Sequence, residues 1–255
     1  IDVDRALACC LEPGILLVQN EVPRETVEYA ISTAQKKGWM VILNPAPARP
    51  IDQQLMPLVD IIIPNETEMA TLTDCPVETL EELIYAAGKL LQSGVKNVIV
   101  TIGAKGAICC NESGYQQIKP YIVKAVDTTA AGDAYTGGLA AALAEGKNLV
   151  ESMDFAAAVA ALSVTKKGAQ PSLPWRTAVE EFINQPLSEV IAGMGHGDML
   201  VIGDCGLPIP AAVRRIDLAL TAGIPSFLQT LSVVKQELQV ESVIIANEMM
   251  VTSPS

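Results

Sequence analysis

The sequence contains a single histidine, and none of its six cysteines lies in a Cys-x-x-Cys pair. Zinc sites in proteins use clustered cysteine and histidine ligands, so this pattern argues against a zinc centre. A chain of 255 residues does not need a disulfide framework to fold, and we interpret the cysteines as reduced, small core residues. We therefore expect a cytoplasmic protein without disulfide bonds.

Charged residues and long apolar runs are also scarce. Charged residues make up 18% of the chain and apolar residues 50%, which argues against disorder and allows a sizeable core. The net charge of -12 repels phosphate backbones, so we expect no nucleic-acid partner. No apolar run approaches the ~20 residues of a membrane helix, and no signal peptide is apparent, so we expect no membrane contact. Both ends of the sequence resemble cut points in a longer chain.

Strand-like and helix-like segments alternate along the first two thirds of the chain, which predicts a parallel sheet covered by helices on both faces. The predicted parallel strands span residues 15–19, 40–43, 60–63 and 97–101. Residues 79–82 (TLEE) have the spacing of a helix capping box. Residues 107–110 and 121–125 are predicted to form antiparallel strands at one edge, and residues 132–165 two packed helices.

The composition changes near residue 185. We predict a short helix over residues 175–183 and a linker over residues 184–186. A new alternation follows, with strands predicted over residues 199–202 and 243–246 and helices over residues 213–222 and 226–238. We therefore predict two domains, spanning residues 1–185 and 186–255.

The predicted helix pair opens on a run of small residues, residues 126–133 (VDTTAAGD). Small residues let a backbone approach a ligand closely, and the free amides at a helix start attract an anion such as a transferring phosphoryl group. Asp133 lies in the first turn, where its carboxylate could accept a proton from an attacking hydroxyl. A carboxylate that merely favours the helix start is an equal alternative.

Two further motifs follow neighbouring strands at the same edge of the predicted sheet. Residues 64–68 (PNETE) place carboxylates at the carboxyl end of a strand, where α/β sheets bind ligands, and these carboxylates could hold Mg²⁺. A helix N-cap with first-turn acids is the alternative. Residues 101–106 (TIGAKG) carry glycines that suit the close approach of a nucleotide, or that form a tight turn.

The order of these motifs resembles the carboxyl-terminal half of the ribokinase family. The resemblance runs from about Ile15 to Phe182 and includes residues 43–49 (LNPAPAR) and 165–172 (TKKGAQPS). It implies a partial Rossmann-like, three-layer α/β/α ribokinase fold. It also implies transfer of the γ-phosphoryl group of ATP to the 5-hydroxyl of D-ribose, with Mg²⁺ and activation by K⁺. Because the family's amino-terminal half is absent, we expect an exposed sheet edge.

The resemblance also implies roles for individual residues. Asp133 matches the catalytic base, and the anion hole is matched by Ala130, Ala131 and Gly132. The nucleotide-binding positions are matched by Asn65, Thr101, Gly103 and Gly132. Glu68, together with Asn65, matches the pair that organises Mg²⁺, while Glu21 and Asp133 match sugar contacts. The K⁺ site is matched by Asp127, Thr129, Ser163, Lys166, Gly168 and Ser172.

The single histidine lies in residues 195–198 (GHGD), before a predicted strand, and residues 203–210 (GDCGLPIP) follow that strand. Residues 187–248 resemble the amino-terminal part of D-ribose pyranase. The resemblance implies a partial α/β domain of a ring-shaped oligomer that interconverts ribose pyranose and furanose without a cofactor. By this match His196 is the acid/base and Asp204 a sugar contact or its partner. Outside that context a lone histidine is usually structural or solvated.

We therefore predict a bifunctional ribose-utilisation enzyme, with ATP and D-ribose as ligands and a homo-oligomeric state. Another sugar or nucleoside kinase of the same superfamily is one alternative. A truncated nucleotide-binding remnant without turnover is another.

Overall fold

The computed structural model describes residues 2–10, 12–194, 198–203, 227–237 and 242–244, and the single positions 210, 213 and 216. Its helices are α1 (Asp2–Ala8), α2 (Arg24–Lys36), α3 (Glu66–Thr73), α4 (Leu80–Gln92), α5 (Ala131–Ala144), α6 (Leu149–Ser163), α7 (Arg176–Ala192) and α8 (Phe227–Glu237). Its strands are β1 (Ile15–Gln19), β2 (Met40–Asn44), β3 (Ile61–Ile62), β4 (Asn97–Thr101), β5 (Ala107–Asn111) and β6 (Gly114–Ile118). Among the described residues, no helix combines the length and apolar composition that crossing a membrane requires.

The six strands form one sheet in the order β1-β2-β3-β4-β5-β6. The first four are parallel, and β5 and β6 are antiparallel to their neighbours, as predicted. The position predicted for the last strand was wrong, because residues 121–125 are not in a strand. Asn111 pairs with Gly114 across a two-residue turn, so the chain reverses at once and β6 forms earlier. At the other edge lies β1, and its Leu17 is exposed, as expected.

Apolar side chains alternate along the strands and build one core on each face of the sheet. Val98 and Val100 of β4 belong to the core beneath α2, α3 and α4. Ile99 of the same strand belongs to the core beneath α5 and α6. This arrangement is a three-layer α/β/α fold of the kind predicted.

The two alanine-rich helices α5 and α6 pack closely, as predicted. A Cβ atom on Gly138 of α5 would lie 3.0 Å from Cγ2 of Val159 and 3.2 Å from Cα of Ala156, both in α6. Only glycine allows this approach without displacing the neighbouring helix. The close contact fixes the start of α5 relative to the end of α6.

The predicted capping box at the start of α4 is confirmed. The Glu82 amide donates to Thr79 Oγ1 across 3.2 Å, and the Thr79 amide donates to Glu82 Oε2 across 3.0 Å. Reciprocal caps of this kind satisfy two helix-terminal amides, and each cap stabilises a helix by about 1 kcal/mol.

A buried carboxylate lies in α6. Asp154 is 7% exposed, and its two oxygens accept from the Tyr121 hydroxyl at 3.1 Å each. Burial raises the pKa of Asp154 to about 6, and the Tyr121 hydrogen bond offsets part of that rise. The protonated carboxyl is therefore favoured by folding.

We expect Asp154→Asn to increase the free energy of unfolding at pH 8 by up to roughly 3 kcal/mol. The folded-state pKa of about 6 lies above 3.8, the ordinary pKa of an aspartate. The folded protein thus binds the extra proton, and its stability falls as pH rises from about 4 to about 6. Urea denaturation between pH 4 and 8 should show this slope in the wild type and its loss in the variant. Glu112→Gln, a matched change at an exposed turn, should keep the slope; an unchanged slope in Asp154→Asn would contradict the assignment.

The chain divides into two compact units, Ile1–Val179 and Glu180–Ser255. The linker predicted over residues 184–186 was wrong, because these residues lie within α7. Proline usually interrupts a helix at a cost of about 3 kcal/mol, but the residues that follow Pro186 remain helical. Ile191 of α7 is buried in a small core of the second unit with Val234 of α8, and this apolar contact favours continuation of the helix.

The other elements predicted for the second unit have mixed outcomes. Helix α8 confirms the helix predicted over residues 226–238. The strand predicted over residues 199–202 was wrong, because these residues carry no strand pairing, and residues 243 and 244 are not in a strand either. Residues 213 and 216 are not helical, and the rest of the helix predicted there lies outside the described residues. Alternating apolar residues predict a strand only where a partner strand supplies the hydrogen bonds.

Candidate active site

The candidate residues of the first unit lie where the parallel strands end. Gln19 at the end of β1 pairs in register with Asn44 at the end of β2. Asn65, just after β3, forms an isolated parallel bridge with Thr101 at the end of β4. In sheets of this kind, ligands bind at the carboxyl ends of the strands. One edge of the sheet therefore carries polar side chains from four neighbouring strands.

The start of α5 offers unpaired backbone amides at this edge. Ala130, the N-cap, has φ 62°, a left-handed conformation that is unusual for a residue other than glycine. Of the three residues predicted for the anion hole, Ala131 differs from the prediction, because its amide donates to the Thr128 carbonyl. The amides of Gly132 and Asp133 have no acceptor among the described residues. Gly132 is exposed, and the space where a Cβ would lie is empty. Two free amides at the positive end of a helix form a site for an anion.

Asp133 projects from the first turn of α5 and is exposed. Its Oδ1 accepts a hydrogen bond of 2.7 Å from Nε2 of Gln19, the last residue of β1. The carboxylate therefore stands beside the two free amides with one oxygen engaged. This arrangement suits a group that accepts a proton next to a bound anion.

A chain of buried hydrogen bonds connects β2 to the first turn of α5. Nδ2 of Asn44, which is 5% exposed, donates to Oγ1 of Thr136 across 3.2 Å, and Thr136 donates to the Gly132 carbonyl across 2.8 Å. Gln19, Asn44 and Thr136 belong to none of the motifs that indicated candidate residues. The signal available in the sequence was their position, because Gln19 ends a predicted strand, Asn44 directly follows another and Thr136 lies one turn into α5.

Asn65 and Glu68 form a capping box at the start of α3. The Glu68 amide donates to Asn65 Oδ1 across 2.8 Å, and the Asn65 amide donates to Glu68 Oε2 across 2.9 Å. The alternative interpretation of this motif, an N-cap with a first-turn acid, is thus present. The second carboxylate oxygen of Glu68 accepts no hydrogen bond from the described residues, so the donor set still suits Mg²⁺ held through water. The described residues contain no group of three or more acidic, histidine or cysteine side chains that could hold a metal ion.

The turn after β4 brings backbone, rather than side chains, to the sheet edge. Gly103 and Gly106 have φ values of 50° and 93°, and the Ile102 amide donates to the Gly106 carbonyl across 2.8 Å. Apart from Gly103 and its two neighbours in the chain, no atom of the described part of the chain lies within 4 Å of the position of a Cβ on Gly103. The turn leaves open space beside Thr101, as a nucleotide would require.

Asp127 joins the loop before α5 to the loop after α6. Its Oδ1 accepts from both the hydroxyl and the amide of Thr129, and its Oδ2 accepts from the Gly168 amide across 2.9 Å. These hydrogen bonds, led by that of the Thr129 hydroxyl, lower the pKa of Asp127 to about 2. The amides of Val126 and Asp127 also donate to the Val164 carbonyl. The two loops are therefore tied together by one ionised carboxylate.

The other candidates for a K⁺ site lie on these two loops or at the end of α6. Ser163 and Ser172 are fully buried, Gly168 has φ 89°, and the Lys166 amide donates to the Ser163 carbonyl across 3.1 Å. Oxygen donors with a single carboxylate suit a cation of low charge. The residues present thus fit K⁺ chemically, with Asp127 and the backbone carbonyls as its donors.

The loop that carries Glu21 is braced by the loop after β2. Nδ2 of Asn20 donates to the Pro47 carbonyl across 3.2 Å, and both terminal nitrogens of Arg49 donate to the Val22 carbonyl at 3.3 Å. Glu21 itself is exposed at the same edge of the sheet. His196 and Asp204, the candidates of the second unit, lie outside the described residues.

Comparison with known proteins agrees with this geometry. Residues 5–176 match the family described as pfkB family carbohydrate kinase, and residues 178–255 match the RbsD / FucU transport protein family. A ribokinase of Haemophilus influenzae is 45% identical over 168 residues, which are 66% of this chain and 55% of that protein. A bifunctional ribokinase/ribose-5-phosphate isomerase A of Fructilactobacillus sanfranciscensis is 37% identical over 185 residues, or 72% of this chain and 34% of that protein.

The structure of Arabidopsis thaliana ribokinase complexed with ribose and ATP is similar, with a TM-score of 0.64 and 39% identity. The match covers 66% of this chain and 55% of the Arabidopsis chain. This chain therefore spans about half the length of the ribokinases it matches. The matches confirm the resemblance that the motifs indicated, and the chain belongs to the pfkB family of carbohydrate kinases, followed by a domain of the RbsD/FucU family.

Proposed function

We propose that the first unit performs the phosphoryl-transfer chemistry of an ATP-dependent ribokinase, which converts D-ribose to D-ribose 5-phosphate. One observation supports this most directly: the two free amides at the start of α5 lie beside the Asp133 carboxylate. An anion site next to a proton acceptor is what phosphoryl transfer to an alcohol needs. The identity to ribokinases favours ribose over other sugars.

In this proposal each group of the chain has a defined task. Asp133 accepts the proton of the 5-hydroxyl as that oxygen attacks, and the Gly132 and Asp133 amides stabilise the charge on the transferring group. Thr101 and Gly103 border the space for the nucleotide, and Glu21 contacts the sugar. ATP with Mg²⁺ supplies the phosphoryl group and neutralises part of its charge, and Asn65 and Glu68 would orient that metal through water.

Asp127 and the carbonyls of Thr129, Ser163, Lys166 and Gly168, with Ser172, would hold K⁺. None of these proposed donors is Asp133 itself, so the proposal gives the cation an indirect effect. Its effect would be to brace the loop that presents the free amides, because that loop leads directly into Ala130. K⁺ should therefore strengthen nucleotide binding and transfer together.

For the second unit we propose interconversion of ribose pyranose and furanose, with His196 as acid/base and Asp204 as its partner or a sugar contact. The observation that favours it is the RbsD/FucU match over residues 178–255. The kinase would use the furanose that this step supplies. Cytoplasmic location and homo-oligomerisation are part of the same proposal. The five cysteines of the described residues form no disulfide bond, which fits a reducing compartment.

The proposal predicts that MgATP raises the melting temperature of this chain, and more so in K⁺ than in Na⁺. A ligand that binds only the folded state adds ~2.7 kcal/mol to the free energy of unfolding at a hundredfold excess over its Kd. The same samples with D-ribose should release ADP, measured by a coupled assay. NMR exchange between ribose ring forms tests the second unit in parallel.

Two other outcomes would change the assignment. A shift with MgATP but faster ADP release with another sugar or nucleoside would favour a different kinase of the superfamily. No shift and no ADP release, in a chain shown to be folded, would favour a remnant without turnover. The Na⁺ sample is the matched control for the cation.

A further inference from the structure

Gln19 contacts the proposed catalytic base directly. Its Nε2 atom donates to Oδ1 of Asp133 across 2.7 Å, a short distance for an amide–carboxylate hydrogen bond. No other side chain among the described residues donates to this carboxylate. An exposed aspartate without a partner would sample several rotamers. The contact from β1 therefore selects one orientation of the Asp133 side chain.

The backbone that carries Asp133 is held by the adjacent strand. Asn44, the register partner of Gln19, reaches the Gly132 carbonyl through Thr136. Asn44 also accepts from the Ala46 amide across 3.1 Å, so its own side chain is fixed at both ends. Asn44 at the end of β2 thus holds the helical turn, and Gln19 at the end of β1 holds the carboxylate that this turn carries.

We infer that Gln19 is the positioning residue for the base Asp133, an inference that rests on the proposed kinase function. Its amide is a donor at every pH at which the protein is folded, so it engages Oδ1 without competing for a proton. Oδ2 is left to accept the proton of the attacking hydroxyl. The geometry orients the base before the sugar arrives, and this preorganisation lowers the barrier to transfer.

Kinetics on the full chain test the inference first. Gln19→Leu removes the donor at similar volume and should lower kcat about 10- to 100-fold, because a misplaced catalytic group costs up to ~100-fold. KM for ATP should change less than about twofold, since the proposed nucleotide contacts Thr101 and Gly103 lie at the end of β4, three strands from Gln19. Gln19→Glu keeps the length but opposes Asp133 with a second carboxylate, and should lower kcat at least as much. Gln117→Leu, on the edge strand β6, is the matched control and should behave as wild type.

An NMR measurement separates this inference from the proposed function. The side-chain amide cross-peaks of Gln19 should shift in Asp133→Asn, whereas those of Gln117 should not. Wild-type kcat in Gln19→Leu, in a chain that phosphorylates ribose, would overturn the inference and leave the function standing. If the wild-type chain does not phosphorylate ribose, the proposed function is refuted. The NMR spectra then still test the contact: a shift of the Gln19 cross-peaks in Asp133→Asn supports it, and no shift refutes it.

Discussion

Asp133→Asn should lower kcat for phosphoryl transfer to D-ribose by roughly 1,000-fold, within the range of 10²–10⁴ that general bases contribute. An asparagine side chain fits the same space but does not accept the proton of the attacking hydroxyl. The two free amides at the start of α5 belong to the backbone and remain. The loss should therefore fall on kcat, and the rise in melting temperature with MgATP should be retained.

The control for this variant is Asp74→Asn. Asp74 is an exposed aspartate at the end of α3 with φ 51°, a conformation that asparagine also tolerates. The control should keep wild-type kcat and stability. A kcat for Asp133→Asn within a few-fold of wild type would assign Asp133 to helix stabilisation alone, the alternative that the sequence left open.

Gly106→Ala should lower the free energy of unfolding by roughly 3–5 kcal/mol, among the largest effects expected of a single substitution. Gly106 has φ 93°, and a Cβ there would lie 2.1 Å from the Ile118 carbonyl oxygen. It would also lie 3.1 Å from the Pro120 nitrogen. These are backbone atoms, which cannot rotate away as a side chain would, so β6 and the turn after β4 must separate. The urea midpoint measures the loss.

Gly103→Ala provides the comparison within the same turn. Gly103 also has a positive φ, 50°, but beyond its two neighbours in the chain no described residue has an atom within 4 Å of its Cβ position. It should lose only about 1 kcal/mol, the cost of a left-handed conformation for a residue with a Cβ. Equal losses in the two variants would show that conformation, and not the clash with Ile118, sets the effect.

The parts of the fold that the sequence predicted are those that local interactions decide. The capping box at Thr79 needs residues only three positions apart, and the parallel strands show their apolar character within five residues. The last strand was misplaced because the two-residue turn after Asn111 determines where it begins. The prediction rested instead on the apolar content of residues 121–125. The linker was wrong because α7 continues through Pro186, and the contact of Ile191 with a later helix is not visible in the local sequence.

The candidate site shows the same division. Asp133 could be predicted as a candidate because small residues and an acid adjoin in one stretch of sequence. Gln19 and Asn44 were missed because their partners lie 114 and 92 residues away. Contacts of that kind depend on the order of strands and on which helix crosses their ends, and neither is visible in a motif. The capping role of Asn65 was foreseen only as an alternative.

The close contact at Gly138 links two segments that border the candidate site. It joins α5, which begins at the free amides, to α6, whose last turn precedes the Val164 carbonyl that holds Val126. The geometry of the proposed anion-binding end therefore depends on a glycine in the middle of α5, where any side chain would press against α6. The loop that carries Glu21 belongs to β1 and is braced by Arg49 instead. Under the proposed function, substitutions in that loop would change the preferred acceptor and leave the packing of α5 on α6 as it is.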